Sequence, residues 1–273
     1  MSLGSAEFAY LQKMVQDASA IVIEPGKEYL AEARLASIAH VEGMRTVQEL
    51  IEALRFSPVS DLHNRVLDAM TNNETTFFRD QHPFTALRDW ILPAALERNS
   101  SERQLAIWSA ACSSGQEAYS IAMLIEDDLW GLPQWQLRII GTDLSRTVLD
   151  RARKARYNQM EMTRGLTPQQ IQRHFTRHDN EWQLHENIRR RVEFRHLNLF
   201  DSWRDLPAFD IVFLRNVLIY FEIERKREIL GKVREILRPG GVVVLGGAET
   251  TFGLDDAFER RTFSQATYYT IRR

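Results

Sequence analysis

Disulfides cannot hold this fold together, because its 273 residues contain one cysteine, Cys112, with no second cysteine to bridge to. Long apolar runs are missing too. Nothing approaches the roughly 20 residues a membrane span needs, and the N-terminus shows no basic segment leading into an apolar one. A protein of the reducing cytosol, without membrane insertion, is expected. An excess of either charge is also absent: 35 Lys and Arg face 37 Asp and Glu, a formal net charge of −2, which provides no global field to gather nucleic acid or acidic membrane. There is no internal repeat or low-complexity stretch, which argues against solenoids and disordered tails. With 44% apolar residues, the chain can bury one sizeable core plus a smaller unit, so two domains are expected.

Residues 1–72 show helical spacing and no strand pattern. Phe8, Leu11, Val15 and Ala18 line one face, and Leu30, Arg34, Leu35 and Ile38 follow in a second segment, Lys27 to Gly43. Thr46 and Glu49 form a capping box ahead of Leu50, Ile51 and Leu54, and Ser57-Pro58 predicts the start of a fourth helix. The turn-rich run Thr71 to Thr75 then leads into a helix from Pro83 to Arg98, and the second domain is expected to span 73–273.

Beyond Ser101 the pattern changes. Short apolar runs (Leu105 to Ala111, Leu137 to Gly141, Ile211 to Leu214, Val242 to Leu245) alternate with amphipathic stretches, as strands buried on both faces do. The fold class that follows is α/β, a mostly parallel doubly wound sheet whose ligands lie beyond the carboxyl ends of its strands. The stretch from about 157 to 191 breaks the alternation: Thr167-Pro168 opens a short helix, and Trp182, Leu184 and Ile188 suggest a hairpin. It reads as an insertion.

Chemistry is therefore sought after each strand. The first ends in the small-residue loop Ser109 to Gly115, where backbone can approach a ligand or simply turn tightly, and Glu117 opens the next helix. Asp143 closes the second strand, placed to accept ribose hydroxyls or to cap the helix after Ser145. Glu117 is either a helix-dipole residue or an ion-pair partner for a cationic ligand. A carboxylate there suits S-adenosylmethionine, with its ammonium and sulfonium, better than a dinucleotide pyrophosphate, and so favours methyl transfer over hydride transfer. After the third strand, Asn198 and Leu199 could read and sandwich a purine, or Asn198 could serve as a turn residue.

Three motifs then carry a resemblance. Asn73-Glu74-Thr75-Thr76-Phe77-Phe78-Arg79, the strand end Arg215-Asn216-Val217-Leu218-Ile219-Tyr220-Phe221 and the loop Leu237-Arg238-Pro239-Gly240-Gly241 resemble, in type and order, those of the bacterial chemotaxis receptor methyltransferases, the CheR family. Pro-Gly-Gly is unspecific; the first two motifs in one chain are specific. The resemblance implies a Rossmann-like class I methyltransferase with a helical N-terminal domain and an inserted β-subdomain, acting on glutamates of chemoreceptor cytoplasmic helical domains. It implies that S-adenosylmethionine, and its product S-adenosylhomocysteine, contact Asn73, Thr75, Arg79, Glu117, Asp143, Asn198, Leu199, Asn216 and Val217. Arg79 and Tyr220 are implied near the transferred methyl.

A glutamate carboxylate is already ionised at neutral pH and needs no general base, so catalysis reduces to placement. Rival readings are a methyltransferase for a small molecule or nucleic acid, and a non-catalytic S-adenosylmethionine-binding module; the helical cap with Arg79 argues against the first, and Arg79 with Tyr220 against the second. His174, His178 and His185 lack convincing ligand spacing, so no metal is expected. Cys112 reads as a packing residue, and Arg189-Arg190-Arg191 with Arg195 as a solvated edge. Lys27 and Arg34 are the cations available for receptor docking on a segment that also carries Glu28, Glu32 and Glu42. Some family members tether receptors by adding a C-terminal tail peptide to the inserted sheet. Here Thr176 to Trp182 has no glycine to open the edge, so no such tether is expected, and the protein is expected to be a monomer.

Overall fold

The computed structural model describes residues 3–128 and 134–272. The chain forms two compact units, one of residues 1–72 with 220–225, the other of 73–219 with 226–273.

Four helices build the first unit: α1 (Ser5–Ser19), α2 (Glu28–Val41), α3 (Val47–Phe56) and α4 (Asp61–Met70). The buried face of α1 is Phe8, Leu11, Val15 and Ser19, so Ser19 rather than Ala18 completes the expected stripe. Spacing by four from Leu11 leads to it, and its hydroxyl is satisfied by donating to the Val15 carbonyl at 2.6 Å. In α2 the deepest positions are Ala31, Leu35 and Ala39. Thr46 caps α3 as expected, accepting the Glu49 N–H at 3.2 Å, although the Glu49 carboxylate takes the Arg45 N–H instead of closing the box. The fourth helix does not start at Ser57-Pro58. Ser57 ends α3, and Ser60 begins α4 with the help of His63, whose Nδ1 lies 3.3 Å from the Ser60 nitrogen while Nε2 reaches the Leu54 carbonyl at 3.1 Å. Arg34 is likewise not an uncommitted docking charge: Nη1 donates to the Met70 and Thr71 carbonyls, both at 3.0 Å, closing the C-terminus of α4.

In the second unit, the helical run predicted for Pro83 to Arg98 comprises α5 (His82–Ala86), a π-helical turn (Leu87–Ile91) and α6 (Leu92–Arg98). The main sheet contains β1 (Gln104–Ala110), β2 (Gln136–Asp143), β6 (Val192–His196), β7 (Phe209–Leu214), β8 (Leu237–Leu245), β9 (Phe258–Phe263) and β10 (Ala266–Ile271), in the order β6-β2-β1-β7-β8-β10-β9. The first five run parallel and β10 is antiparallel to both neighbours. The order reverses at β1, which leaves a crevice between the loops after β1 and β7. Helices α7 (Gln116–Asp128), α8 (Arg146–Lys154) and α12 (Ile223–Ile236) belong to the crossovers. All of β7 is buried, which explains its unbroken apolar run.

At the amino end of the parallel strands, fully buried Asp210 accepts from Asn99, the Ala106 N–H, Arg98 and Arg238 at 2.7, 2.9, 3.2 and 3.1 Å. A charge so placed tolerates burial because both of its oxygens are bonded.

The expected insertion is a three-stranded antiparallel sheet, β3 (Arg156–Asn158), β4 (Phe175–His178) and β5 (Glu181–Leu184), ordered β3-β5-β4, with short helices α9 (Gln159–Thr163), α10 (Pro168–His174) and α11 (Glu186–Arg189). β4 and β5 pair from Phe175–Leu184 to His178–Glu181, leaving a two-residue turn, Asp179-Asn180, with Asp179 at φ 52°.

Candidate active site

The loop after β1 turns sharply, with Ala111, Ser113 and Gly115 at φ 55°, 51° and 91°. Gly115 is needed for packing: a Cβ there would lie 2.9 Å from the Ala152 Cβ and 3.1 Å from the Phe194 ring. Asp143, at the end of β2, organises this loop. Its Oδ2 accepts the Ser113 N–H at 2.8 Å and its Oδ1 the Ser145 N–H at 2.9 Å. Ser145, not Asp143, caps α8 through the Val148 N–H. Ser113 in turn donates its hydroxyl to the Asn73 carbonyl at 2.7 Å, tying the first sequence motif to the strand ends.

Glu117 enters the site already paired. Its Oε1 accepts from the Ser109 hydroxyl at 2.7 Å and its Oε2 from Arg215 Nη1 at 2.9 Å. The Arg215 side chain is 1% exposed, and its Nη2 donates to the Arg79 carbonyl at 3.0 Å and to Asp80 at 2.7 Å. The guanidinium also lies 5.7 Å from the centre of the Phe84 ring. The loop charge inferred from Glu117 alone is therefore balanced by a buried arginine, and the electrostatic preference for a cationic ligand rests on Asp80 and Asp143 as well.

The two phenylalanines before Arg79 anchor its loop in opposite directions. Phe77 meets Tyr157 and Phe175 edge-on, with ring centres 4.9 and 5.6 Å apart, and Phe78 meets Phe84 at 5.2 Å. Gly165, at φ 98°, lets the insertion press against that loop, since a Cβ there would fall 1.8 Å from the Phe77 carbonyl oxygen. Arg79 itself is half-buried, and its Nη1 donates to the Glu74 carbonyl at 3.1 Å.

Asn198 and Leu199 follow β6, which pairs with β2 through Asp143 and His196. Asn198 is in part the turn residue it resembled, since its side chain accepts the Phe200 N–H at 3.2 Å. Leu199 is buried, and its carbonyl accepts from Lys232 at 3.2 Å. Asn216 and Val217 follow β7, Asn216 at φ 57°. Sequence reasoning missed the group that holds them: the Glu249 carboxylate accepts the N–H groups of Asn216, Val217 and Leu218 at 2.8, 2.9 and 2.7 Å. The only available signal was an acid four residues beyond the end of β8, behind two glycines. Glu117, Asp143, Asn198, Leu199, Asn216 and Val217 thus lie at or just beyond the carboxyl ends of β1, β2, β6 and β7, while Ser113 and Arg215 tie the Asn73 and Arg79 carbonyls to the same end of the sheet.

The other chemical candidates have structural partners. Cys112 is buried, and burial pushes its thiol well above the usual range, away from thiolate reactivity. His174 Nε2 meets Asp127 at 3.0 Å. Arg189 and Arg190 pair with Glu186, Arg191 with Glu126 and Arg195 with Glu193.

The chain matches two family models in tandem: the all-alpha domain of CheR methyltransferases over residues 6–71 and their S-adenosylmethionine-binding domain over residues 73–267. The chain belongs to the CheR methyltransferase family. It is similar along nearly its whole length to chemotaxis protein methyltransferases, sharing 38% identity with Cher2 of Pseudomonas putida and 40% with methyltransferase 1 of Pseudomonas aeruginosa, each over 98% of this chain and 99% of the relative. Identity to the Escherichia coli chemotaxis protein methyltransferase is 31%, over 96% of this chain and 90% of the relative. The sheet order with its antiparallel β10 is that of class I methyltransferases, and the CheR domain binds S-adenosylmethionine.

Tyr220, the last expected CheR site residue, lies in the segment grouped with the helices. Its hydroxyl accepts from Asn72 Nδ2 at 2.6 Å, and its carbonyl accepts the Val22 N–H at 3.0 Å.

Proposed function

We propose that Asn73, Thr75, Arg79, Glu117, Asp143, Asn198, Leu199, Asn216 and Val217 hold S-adenosylmethionine, and that Arg79 and Tyr220 orient the glutamate side chain this enzyme esterifies on chemoreceptors. The observation that carries the assignment is the chain of bonds from Asp143 through Ser113 to Asn73. It fixes an acceptor-only carboxylate at the end of β2, against the loop after β1 that borders the switch point, where a ribose needs acceptors. The residues fit the group in charge as well, because Asp80 and Glu117 offset Arg215 and Asp143 adds a further negative charge beside a cationic cofactor.

When bound, the cofactor supplies a sulfonium methyl that a carboxylate can take directly. The protein's part is positional. A glutamate with a reference pKa of about 4.3 needs no base, and correct alignment can be worth about 7–11 kcal/mol. The planar Arg79 guanidinium can fix the carboxylate plane and the Tyr220 phenol can add one hydrogen bond. Both attractions also quieten the nucleophile, so orientation must outweigh neutralisation.

We place this reaction in the cytosol, without a tail tether. Among the described residues no helix is long and apolar enough to cross a membrane. On the edge strand β4, Thr176 contacts His185 at 3.0 Å and the Arg177 guanidinium lies 5.9 Å from the Trp182 ring, and the β4–β5 hairpin contains no glycine to ease the approach of a further strand. The assignment is tested with Asp143→Asn: S-adenosylhomocysteine affinity by calorimetry should fall about tenfold or more, together with base-labile methyl transfer from labelled cofactor to receptor membranes. Parent-like affinity in both Asp143→Asn and Glu117→Gln would remove the pocket from this place.

A further inference from the structure

Glu249 follows β8 in the stretch Gly246-Gly247-Ala248-Glu249, and its N–H donates back to the Gly246 carbonyl at 2.9 Å, so the chain reverses there. Its carboxylate meets four backbone donors. Oε2 accepts from Asn216 and Gly246 at 2.8 and 2.7 Å, and Oε1 from Val217 and Leu218 at 2.9 and 2.7 Å. Each oxygen has two lone-pair directions, so these bonds use the acceptor capacity of the group. Three successive N–H groups converging on one acceptor form an anion-holding nest, and here the anion is a side chain of the same protein.

The bonds restrain something the sheet does not. The register between β7 and β8 ends at Leu214 and Leu245, so the clamp acts only beyond the last strand pair. What lies there is a loop that opens with buried Arg215 and places Asn216 in the left-handed region, which asparagine tolerates better than most residues with a Cβ but which still costs more than the right-handed one. The fit is tight. A Cβ on Gly246 would lie 2.7 Å from Glu249 Oε2 and 2.8 Å from both the Asn216 backbone nitrogen and its Nδ2.

We infer that Glu249 is a positioning residue for S-adenosylmethionine: through the N–H groups of Asn216, Val217 and Leu218 it presets the loop that meets the cofactor. The inference rests on the proposed contact of Asn216 and Val217 with that cofactor. Glu249→Gln tests it, because the amide keeps the shape but turns one end into a donor facing two N–H groups. In the full-length protein, S-adenosylhomocysteine affinity by calorimetry should fall roughly tenfold to a hundredfold. In the cofactor-free protein, amide hydrogen exchange at Asn216 to Leu218 should quicken by about tenfold or more while β7 and β8 keep their protection. A carboxylate that only supports the fold would instead loosen those strands and leave the folded protein's affinity intact.

Parent-like affinity with unchanged loop exchange overturns the inference. Should Glu249→Gln fail to fold, Gly246→Ala, which keeps the carboxylate and crowds it, carries the same expectations and the same refutation. Asn216→Ala separates the two layers of reasoning. If Asn216→Ala weakens binding and the clamp variants do not, the positioning role falls while the cofactor assignment stands. If Asn216→Ala binds like the parent, the cofactor assignment of this loop falls and takes the inference with it.

Discussion

Two arginines joined by one hydrogen bond play opposite parts here. Arg215 is 1% exposed, with Glu117, Asp80 and the Arg79 carbonyl around its guanidinium. Arg79 is half-buried, and its Nη1 donates to the backbone of its own loop. Both come from motifs of similar specificity in the sequence, and sequence alone does not distinguish them. The structure separates a buried cation that ties Glu117, Asp80 and the Arg79 loop together from a partly open one, the residue proposed to address the substrate, and it teaches that charge in a motif reveals little until its partners are known.

The sharpest way to break this contrast is Arg215→Ala. It leaves Glu117 buried without its cation, and losing one member of a buried pair costs about 3–5 kcal/mol. Denaturant unfolding should show that loss, and the double variant with Glu117→Gln should recover part of it; equal stability of parent and Arg215→Ala would make the two arginines alike. Arg79→Ala should do the reverse. Its unfolding free energy should move by no more than about 0.5 kcal/mol, while the methyl-transfer rate at saturating cofactor drops by the worth of a charge-assisted hydrogen bond, about 1.5–3 kcal/mol. Arg79→Lys should remain poor, because a point charge does not reproduce the planar fork. Full activity in Arg79→Ala would move the substrate-addressing role elsewhere.

The same contrast recurs, more weakly, in the helical unit. Arg34 closes the end of α4 and Lys27 faces Glu24 at 3.9 Å near the surface. Arg34→Glu should therefore lower the thermal midpoint by several degrees, as expected for about 1 kcal/mol. Lys27→Glu should leave stability unchanged and, at low salt where exposed charges are least screened, slow receptor methylation slightly if that face docks. An unaffected rate would put docking on another surface. The smallest effect expected is none at all: a receptor C-terminal pentapeptide ending in an aromatic residue should show no saturable binding in a calorimetric titration, and micromolar affinity would show that β4 admits a strand despite its side chains.

Much of this was legible in the sequence because periodicity reports burial directly. The continuous apolar runs of β1 and β7 and the helical spacing of α1 and α3 each reflect which faces lose water. Helix starts were legible where the cap came with its usual acidic partner three residues on, as at Thr46 with Glu49, and not where that partner was an imidazole, as at Ser60 with His63. The long-range pairings were not legible. Glu117 finds Arg215 98 residues away, and Glu249 reaches Asn216 across 33, and no local pattern encodes which acid meets which donor. The packing role of Gly115 was not legible for a related reason, since a glycine that admits a ligand and one that admits a neighbouring ring look the same in sequence.

For anyone dissecting the gene, the grouping of 220–225 with the first 72 residues sets a limit on modular cutting. A truncation after Asn72 is the natural boundary by sequence, yet it would remove both the amide that donates to the Tyr220 hydroxyl and the N–H that holds its carbonyl. The shorter protein would keep every strand while its phenol lost those neighbours. The helices are in that sense not a detachable attachment, and a library of domain fusions built at that junction would sample enzymes with a displaced tyrosine.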